Sequence, residues 1–213
     1  VTVRRESDGK WSVFFVCDLG AAPPLVSPET VVGIDVGLKT LAVTSDGEFV
    51  ANPRHAAIGA ARLARVQRVA ARRKKGSRSK ERARRAVARC YAHIRNQRLD
   101  YARKTAASLV SRYDVVAHED LNIAGMTRSM LGGSINNAGW GILLRCIALK
   151  AESAGKHVVA VDPRHTSQAC SRCGALVPKD LSVRVHDCPH CGLRMDRDWN
   201  AAINICALGR SAV

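Results

Sequence analysis

The chain is poor in acidic residues, in aromatic residues and in long apolar stretches. Its 213 residues include 18 Asp and Glu against 34 Lys and Arg, which gives a net charge of +16, and only 4% of them are aromatic. No apolar stretch approaches the roughly 20 residues of a membrane helix. No positively charged and then apolar leader opens the sequence, so we expect neither export nor membrane insertion. A chain this basic usually has an anionic partner, most often nucleic acid.

The positive charge is concentrated in one segment. Of the 34 Lys and Arg residues, 18 lie in residues 54–104, where only Glu81 and Asp100 oppose them. Apolar residues recur at helical spacing through residues 54–112, with a break at 74–80, which predicts a long basic helical hairpin. The alternative for this segment is a solvated helix face without a ligand. The candidate nucleic-acid contacts are Arg72, Arg73, Lys74, Lys75, Arg78 and Lys80.

The rest of the sequence alternates between strand-like and helical patterns. Two apolar runs flank Asp8-Gly9, a turn signal that predicts a β-hairpin within residues 2–17. β-Branched runs predict an antiparallel meander of three strands over residues 31–52. This order predicts an α/β fold, with a mixed sheet and helices on its faces. The remaining predicted elements are strands at 114–118 and 156–162 and helices at 136–155 and 198–207.

Four of the eight cysteines form two C-x-x-C pairs that are separated by 14 residues. Two such turns present four thiolates to one ion in tetrahedral geometry, which suits a structural Zn²⁺. His186 and His190 lie close enough in sequence to replace one sulfur, although four sulfurs are the simpler set. The other cysteines are scattered, which favours a reducing, intracellular setting over a disulfide scaffold. The predicted zinc ligands are Cys170, Cys173, Cys188 and Cys191.

Acidic residues stand within or at the ends of predicted elements. Asp35 lies in an apolar strand, Glu119 ends another and is followed by Asp120, and Asp198 opens the last helix. Each acid alone is as compatible with a turn or a helix cap as with function. Together they have a chemical logic, because adjacent strands and a covering helix bring distant acids to one edge of a sheet. Three carboxylates hold two Mg²⁺ ions about 3.5–4 Å apart in sites that hydrolyse phosphodiesters.

Five segments carry a family resemblance. They are "GIDVGLKTLAV", "VAHEDLNIAGM", "NNAGW", "VDPRHTSQACSRCG" and "CPHCGLRMDRDWNAAINI". In combination they resemble the TnpB proteins of bacterial insertion sequences, compact RNA-guided DNA nucleases that are similar to the type V CRISPR effectors. The resemblance covers about residues 1–207.

The resemblance implies a RuvC-like nuclease domain of the RNase H fold with an inserted zinc ribbon. Its metal-binding acids are Asp35, Glu119 rather than Asp120, and Asp198. Asp196 is then expected to cap the last helix or to support the site indirectly. The implied domains are residues 1–29 as remnant strands and a linker, 30–165 with 196–213 as the nuclease domain, 54–112 as its helical insert, and 166–195 as the zinc ribbon.

The resemblance also implies a function. The expected activity is RNA-guided, Mg²⁺-dependent DNA cleavage in the bacterial cytoplasm, with two catalytic Mg²⁺ ions, a structural Zn²⁺, and guide RNA and target DNA as partners. Full-length members carry an N-terminal lobe to which only residues 1–29 would correspond, so a missing lobe or a partner chain is expected to complete the enzyme. One alternative is a non-catalytic nucleic-acid-binding regulator on the same scaffold. Another is a junction resolvase or RNase H, folds that usually lack such a zinc insert.

Overall fold

A computed structural model describes residues 1–18, 20–21, 23–180 and 182–213. The chain divides into two compact units, residues 1–21 with 54–101 and residues 22–53 with 102–213. The strands are β1 (Thr2–Arg5), β2 (Trp11–Phe14), β3 (Val31–Val36), β4 (Thr40–Thr44), β5 (Phe49–Ala51), β6 (Val115–Glu119), β7 (His157–Val161), β8 (Val185–Asp187) and β9 (Arg194–Asp196). The helices are α1 (His55–Ala71), α2 (Arg78–Arg112), α3 (Ile123–Met126), α4 (Gly132–Ala138), α5 (Trp140–Ser153) and α6 (Arg197–Arg210).

The larger unit is built on a five-stranded mixed sheet with the order β5-β4-β3-β6-β7. Strands β3, β4 and β5 form the predicted antiparallel meander. Strands β6 and β7 run parallel to β3, and their connections carry helices, as parallel pairing requires. The β-branched runs of β3 and β6 are buried because these strands occupy the middle of the sheet. The predicted mixed sheet with flanking helices is confirmed.

The last helix, α6, lies on β3 and β6 at very short distance. A Cβ atom added to Gly33 would lie 2.2 Å from the Ala202 carbonyl oxygen and 2.3 Å from the Cys206 nitrogen. At the far end of the helix, a Cβ atom on Gly209 would lie 2.4 Å from the Ala117 side chain. Glycine on the strand and small residues on the helix therefore let the two backbones meet, and this contact fixes where α6 begins.

Substitution of Gly33 by Ala is expected to lower the free energy of unfolding by about 3 kcal/mol, because the new methyl group meets backbone that cannot move aside. Gly141 is the matched control, since it is exposed in the first turn of α5 and a Cβ there meets nothing within 4 Å. Gly141→Ala should leave stability unchanged or raise it by up to about 1 kcal/mol. Urea denaturation compares the two variants. Equal stability of Gly33→Ala and the parent would contradict the close approach of α6.

One predicted helix is divided in the structure. The apolar pattern predicted a single helix over residues 136–155, but α4 ends at Ala138 and α5 begins at Trp140. Gly139 between them has φ 79°, in the left-handed region, which ends one helix and reorients the next. The helical pattern continues through the break because apolar residues on both sides of it are buried, Ile135 in α4 and Leu143 in α5.

The smaller unit contains the predicted hairpin of β1 and β2 together with the basic helices. Strands β1 and β2 pair antiparallel around the turn at Asp8-Gly9, as predicted. Helices α1 and α2 contact each other: the Gln67 side chain donates to the Tyr91 hydroxyl at 2.9 Å, and the Lys80 ammonium donates to the Ala70 carbonyl at 2.7 Å. None of the described helices is both long enough and apolar enough to cross a membrane.

Candidate functional site

Two of the predicted acids lie at neighbouring strand ends. The register pairs Ile34 of β3 with His118 of β6 in parallel, so Asp35 and Glu119 each follow the last paired position. Parallel strands end at the same edge of a sheet, and both carboxylates therefore reach the same region. The loop after Asp35 is braced by Trp140, whose indole nitrogen donates to the Gly37 carbonyl at 2.9 Å.

Asp198 reaches this edge from α6. It lies in the first turn of the helix, where the partial positive charge of the helix N-terminus favours an anion. The Arg197 guanidinium donates to one carboxylate oxygen from two nitrogens at 2.9 and 3.0 Å. The Arg184 guanidinium lies 3.9 Å from the other oxygen. Arg197 also donates to the Val183 carbonyl at 3.1 Å, so it ties Asp198 to the segment that precedes β8.

Asp196 caps α6, as predicted. Its side-chain oxygen accepts from the backbone nitrogens of Asp198 at 2.8 Å and Trp199 at 3.1 Å. These are two of the N–H groups that an α-helix leaves without partners at its start. The side chain of Asp196 therefore faces the helix backbone, whereas that of Asp198 is engaged by the two arginines.

The electrostatics of the acids indicate an accumulation of negative charge. Burial raises the pKa of Asp35 well above its usual range, and the negative charges of Glu119 and Asp198 raise it further. Burial also raises the pKa of Glu119, against a hydrogen bond from Thr166 that lowers it. Carboxylates that repel one another and are partly removed from water suit a divalent cation, which would supply the missing positive charge.

Thr166 contacts Glu119, and two asparagines of α6 hold the segment that carries Thr166. The buried Thr166 hydroxyl donates to the Glu119 carboxylate. From α6, the Asn204 amide donates to the Thr166 carbonyl at 2.8 Å, and the Asn200 amide donates to the Ala169 carbonyl at 2.8 Å. The sequence reasoning did not single out these residues, because a lone Thr or Asn has many structural roles. The available signal was their place inside the quoted segments "HTSQAC" and "NAAIN".

The four predicted zinc ligands are brought together. Their ligand atoms all lie within 4.8 Å of one another. The Sγ atoms of Cys170 and Cys191 are 3.5 Å apart, and those of Cys173 and Cys188 are 3.7 Å apart. These distances exclude disulfides and match the edge of about 3.8 Å that a tetrahedron with Zn–S bonds of about 2.3 Å requires.

Both cysteine turns have the same backbone pattern. Gly174 donates to the Cys170 carbonyl and Gly192 to the Cys188 carbonyl, each at 2.9 Å, and both glycines have positive φ. Burial raises the pKa of the Cys170 thiol, but hydrogen bonds from the Cys173 and Arg172 backbone and from the His186 and Cys191 side chains together lower it to about 5. Burial and the neighbouring sulfurs outweigh the Leu193 N–H and raise the pKa of Cys191 to about 12. Sulfurs this close compete for protons, which a single cation would replace.

The histidine alternatives do not belong to this group. In the part of the chain that the structure describes, the group contains the four cysteines and neither His186 nor His190. His186 is fully buried and its Nδ1 atom contacts the Lys179 ammonium, whereas His190 is exposed. The three acids likewise form no group as tight as the cysteines among the described residues, and Asp198 is paired with arginines instead.

Most of the predicted nucleic-acid contacts are exposed around the connection between α1 and α2. Arg72, Arg73, Lys74 and Lys75 follow the last turn of α1, and Arg78 opens α2. Lys80 differs, because it is partly buried and its ammonium caps the end of α1 at the Ala70 carbonyl.

Comparisons with known proteins agree with this arrangement. Residues 9–130 match the OrfB_IS605 family, described as "Probable transposase", and residues 140–205 match the "Cas12f1-like, TNB domain" family. A "Putative RNA-guided DNA endonuclease" of Streptomyces pristinaespiralis is 37% identical over 215 residues, which cover 100% of this chain and 53% of that protein. The "Putative RNA-guided DNA endonuclease InsQ" of Escherichia coli K12 is 29% identical over 230 residues, 100% of this chain and 57% of that protein. The chain thus spans about half the length of these curated relatives.

Solved structures share the fold. A chain of the "Cryo-EM structure of CRISPR-Cas12f Ternary Complex" has a TM-score of 0.65 at 20% identity, over 89% of this chain and 40% of that chain. A chain of the "Cryo-EM structure of the Cas12f1-sgRNA-target DNA complex" has a TM-score of 0.61 at 18% identity, over 86% of this chain and 51% of that chain. At these identities the likeness concerns the fold.

Proposed function

Because this chain belongs to the OrfB_IS605 family of probable transposases, we propose that it is the nuclease part of an RNA-guided, Mg²⁺-dependent DNA endonuclease. The observation that carries the proposal is the electrostatic contact of Asp35 with Glu119 and Asp198, which come from two adjacent strands and the last helix. A buried acid whose pKa is raised by burial and by two acids from distant segments is costly to the fold, and cation binding would offset that cost.

The proposed fold is the RuvC-like form of the RNase H fold. In it, residues 30–165 and 196–213 form the nuclease domain, with residues 54–112 inserted as the basic helical hairpin. Residues 166–195 form the zinc ribbon, held by the four cysteines, and residues 1–29 belong to a preceding module. The mixed sheet, the helix α6 on its face and the likeness to the Cas12f structures support this division.

Asp35, Glu119 and Asp198 are the proposed Mg²⁺ ligands. When bound, two Mg²⁺ ions stabilise the charge on the scissile phosphate and on the attacking and leaving oxygens. The residues of the chain orient the ligands: Thr166 holds Glu119, and Arg197 holds Asp198. Arg184 lies against the outer oxygen of Asp198 with half of its side chain exposed, where it can neutralise a phosphate or release the acid to the metal.

The proposed partners are guide RNA and target DNA. The relatives are named RNA-guided DNA endonucleases, and a solved complex with this fold contains a guide RNA and target DNA. Base pairing between guide and target would then select the sequence, while basic side chains hold the two backbones. Since the chain spans half of those relatives, we propose that guide binding requires the remaining lobe or a partner chain that supplies it.

One cleavage assay tests the proposal. The purified chain is incubated with single-stranded and duplex DNA, with and without the RNA that copurifies with it. A parallel set of reactions adds the N-terminal lobe of a relative in trans. Cutting in Mg²⁺ and no cutting in EDTA are expected. Binding of nucleic acid without cutting under all of these conditions would favour the alternative, a non-catalytic regulator on the same scaffold.

Replacement of Arg72, Arg73, Lys74 and Lys75 by Ala is expected to weaken nucleic-acid binding and to flatten its dependence on salt. The four side chains are exposed and crowded, and each phosphate contact contributes about 0.9 to the slope of log affinity against log salt on duplex DNA and about 0.7 on single strands. Filter binding over a salt series measures the slope.

A variant in which four exposed arginines elsewhere are replaced by Ala has the same net charge as the first variant and serves as the control. The replaced residues are Arg128, Arg145, Arg172 and Arg210. An equal slope for both variants would mean that the connection between α1 and α2 contributes only general charge. If the slope of the first variant equals that of the parent, the phosphate contacts lie on another surface.

A further inference from the structure

The segment between β7 and the first cysteine pair touches both candidate metal sites. Midway along it, the Thr166 hydroxyl contacts Glu119, a proposed Mg²⁺ ligand. Four residues later the same segment reaches Cys170, one of the four clustered cysteines. Thr166 is 3% exposed, so this contact lies away from bulk water, where a hydrogen bond to a charged group contributes most.

The direction of the Thr166 hydrogen bond follows from its surroundings. The hydroxyl has one hydrogen and lies near two acceptors, the Glu119 carboxylate and the Pro163 carbonyl at 3.0 Å. An ionised carboxylate can only accept, and charge-assisted hydrogen bonds are the stronger ones. The hydrogen therefore goes to Glu119 when that acid is ionised. A hydroxyl that donates to one carboxylate oxygen leaves the remaining lone pairs for a cation.

The backbone around Thr166 is held in an unusual conformation. His165, directly before it, has φ 62°, in the left-handed region that residues with a Cβ rarely adopt. Two backbone N–H groups, of Gln168 at 2.9 Å and Ala169 at 2.7 Å, donate to the His165 carbonyl and close a tight turn. Such conformations persist where the surroundings enforce them, and here the result is that the Thr166 hydroxyl faces Glu119.

Helix α6 supplies that enforcement. Asn200 and Asn204, one helical turn apart, face the same segment. Asn204 donates to the carbonyls of Thr166 and Ala169, each at 2.8 Å. Asn200 donates to Ala169 at 2.8 Å and accepts from the Ser171 backbone at 2.9 Å. The helix that begins with Asp198 therefore also fixes the residue that contacts Glu119.

We propose that Thr166 is a positioning residue that holds the Glu119 carboxylate in its metal-binding orientation and couples it, through Asn204, to the helix that carries Asp198. The inference rests on the proposed nuclease function. It assigns no contact with substrate to Thr166. Its consequence is that the hydroxyl, rather than the bulk of the side chain, sets the affinity of the acids for a divalent cation.

The test compares Thr166→Val with Thr166→Ser in the complete RNA-containing complex. Val keeps the branched shape and removes the donor, whereas Ser keeps the donor. Loss of a hydrogen bond to a charged group corresponds to about a tenfold or larger effect. We expect Thr166→Val to raise the Mg²⁺ concentration for half-maximal cleavage by about tenfold, and Thr166→Ser to stay within about threefold of the parent.

Mn²⁺ binding provides a readout that needs no activity. Electron paramagnetic resonance of free Mn²⁺ is expected to show the same weakening in Thr166→Val. Ser167→Ala is the matched control, because the Ser167 hydroxyl makes no hydrogen bond to the described residues. Zinc content and melting temperature report folding. If Thr166→Val does not fold, the pair Thr166→Ala and Thr166→Ser isolates the hydroxyl in the same way.

The outcomes separate the two proposals. The nuclease function itself would be overturned if the parent complex does not cut DNA and the Asp35→Asn substitution leaves its Mn²⁺ binding unchanged. The role of Thr166 alone would be overturned if the parent cuts DNA and binds Mn²⁺, while a folded variant without the hydroxyl has the same Mn²⁺ affinity and needs the same Mg²⁺ concentration for cleavage. Equal weakening in Thr166→Ser and Thr166→Val would assign the effect to packing and also overturn it.

Discussion

Asp35→Asn is expected to abolish Mg²⁺-dependent cleavage and, at the same time, to stabilise the metal-free protein. The amide keeps the shape of the side chain but removes the charge that would hold the cation. Removal of one electrostatic group from an active site lowers rates by about 10²–10³, and a metal ligand should have at least that effect. A cleavage assay in which Asp35→Asn cuts at the parental rate would contradict the proposed site.

The gain in stability follows from the electrostatics of the site. Burial and the charges of Glu119 and Asp198 raise the pKa of Asp35 in the folded protein. The folded state thus holds its proton more tightly than the unfolded state, where the pKa is about 3.9. Protonated Asp35 therefore contributes to stability below the unfolded pKa, and this contribution is lost as the pH rises through the pKa of Asp35 in the folded protein. In EDTA, Asp35→Asn should melt above the parent at about pH 8 and close to it at about pH 4.

Asp196, which caps α6, and Asp198, in its first turn, provide the sharpest comparison. Asp198→Asn should abolish cleavage, as Asp35→Asn does, because the proposed ligand loses its charge. Asp196→Asn should retain most activity, since an Asn oxygen still accepts from the backbone nitrogens at the start of the helix and Asn is as good a cap as Asp. Loss of cleavage in Asp196→Asn with activity retained in Asp198→Asn would identify the other aspartate as the third ligand.

Cys173→Ser is expected to release zinc, to loosen residues 166–195 and to abolish cleavage. Structural Zn²⁺ contributes on the order of 10 kcal/mol to small metal-folded units, and the described strands of this region are β8 and β9, of three residues each. The loss should reach Asp198, because the Arg197 backbone nitrogen donates to the Arg184 carbonyl at 2.9 Å and its side chain to Val183.

Metal analysis and hydrogen exchange measure the effect of the cysteine substitution. Faster exchange is expected through the ribbon and the first turn of α6, with the strands β3 and β6 still protected. Cys17→Ser is the control, since Cys17 is exposed and distant in sequence from the cysteine pairs, and it should keep its zinc. A protein without zinc that still cuts would show that the ribbon does not support the active site.

Much of the sheet could be predicted because its central strands, β3 and β6, are rich in β-branched residues. Asp35 interrupts the apolar run of β3 and Glu119 ends that of β6, so the sequence itself placed both acids on predicted strands. The clustering of the four cysteines followed from spacing alone, since a C-x-x-C pair has few geometries. The family resemblance selected Asp198 rather than Asp196 as the third acid. The structure supports that choice, because the Asp196 side chain caps α6.

Other features depend on contacts between distant segments, which leave no periodic signal. The break at Gly139 was missed because a helical pattern tolerates one glycine and continues beyond it. The contact of Thr166 with Glu119 joins residues 47 positions apart, and nothing local in either residue predicts the other. The same holds for Arg197, whose position next to Asp198 suggested no pairing because adjacent residues of a helix usually diverge.

The position of α6 along the chain has a consequence for biosynthesis. Cys206 of this helix contacts Val31 across a separation of 175 residues. At a ribosomal rate of about 5–20 residues per second, roughly 10–35 s pass between the synthesis of these two residues. During that interval the nascent chain has β3, and from about the midpoint also β6, without the helix that covers them and without Asp198, the proposed third ligand. The proposed active site is therefore incomplete while the chain is being translated. The late, non-local contact of α6 predicts slow folding and a need for protection of the uncovered sheet.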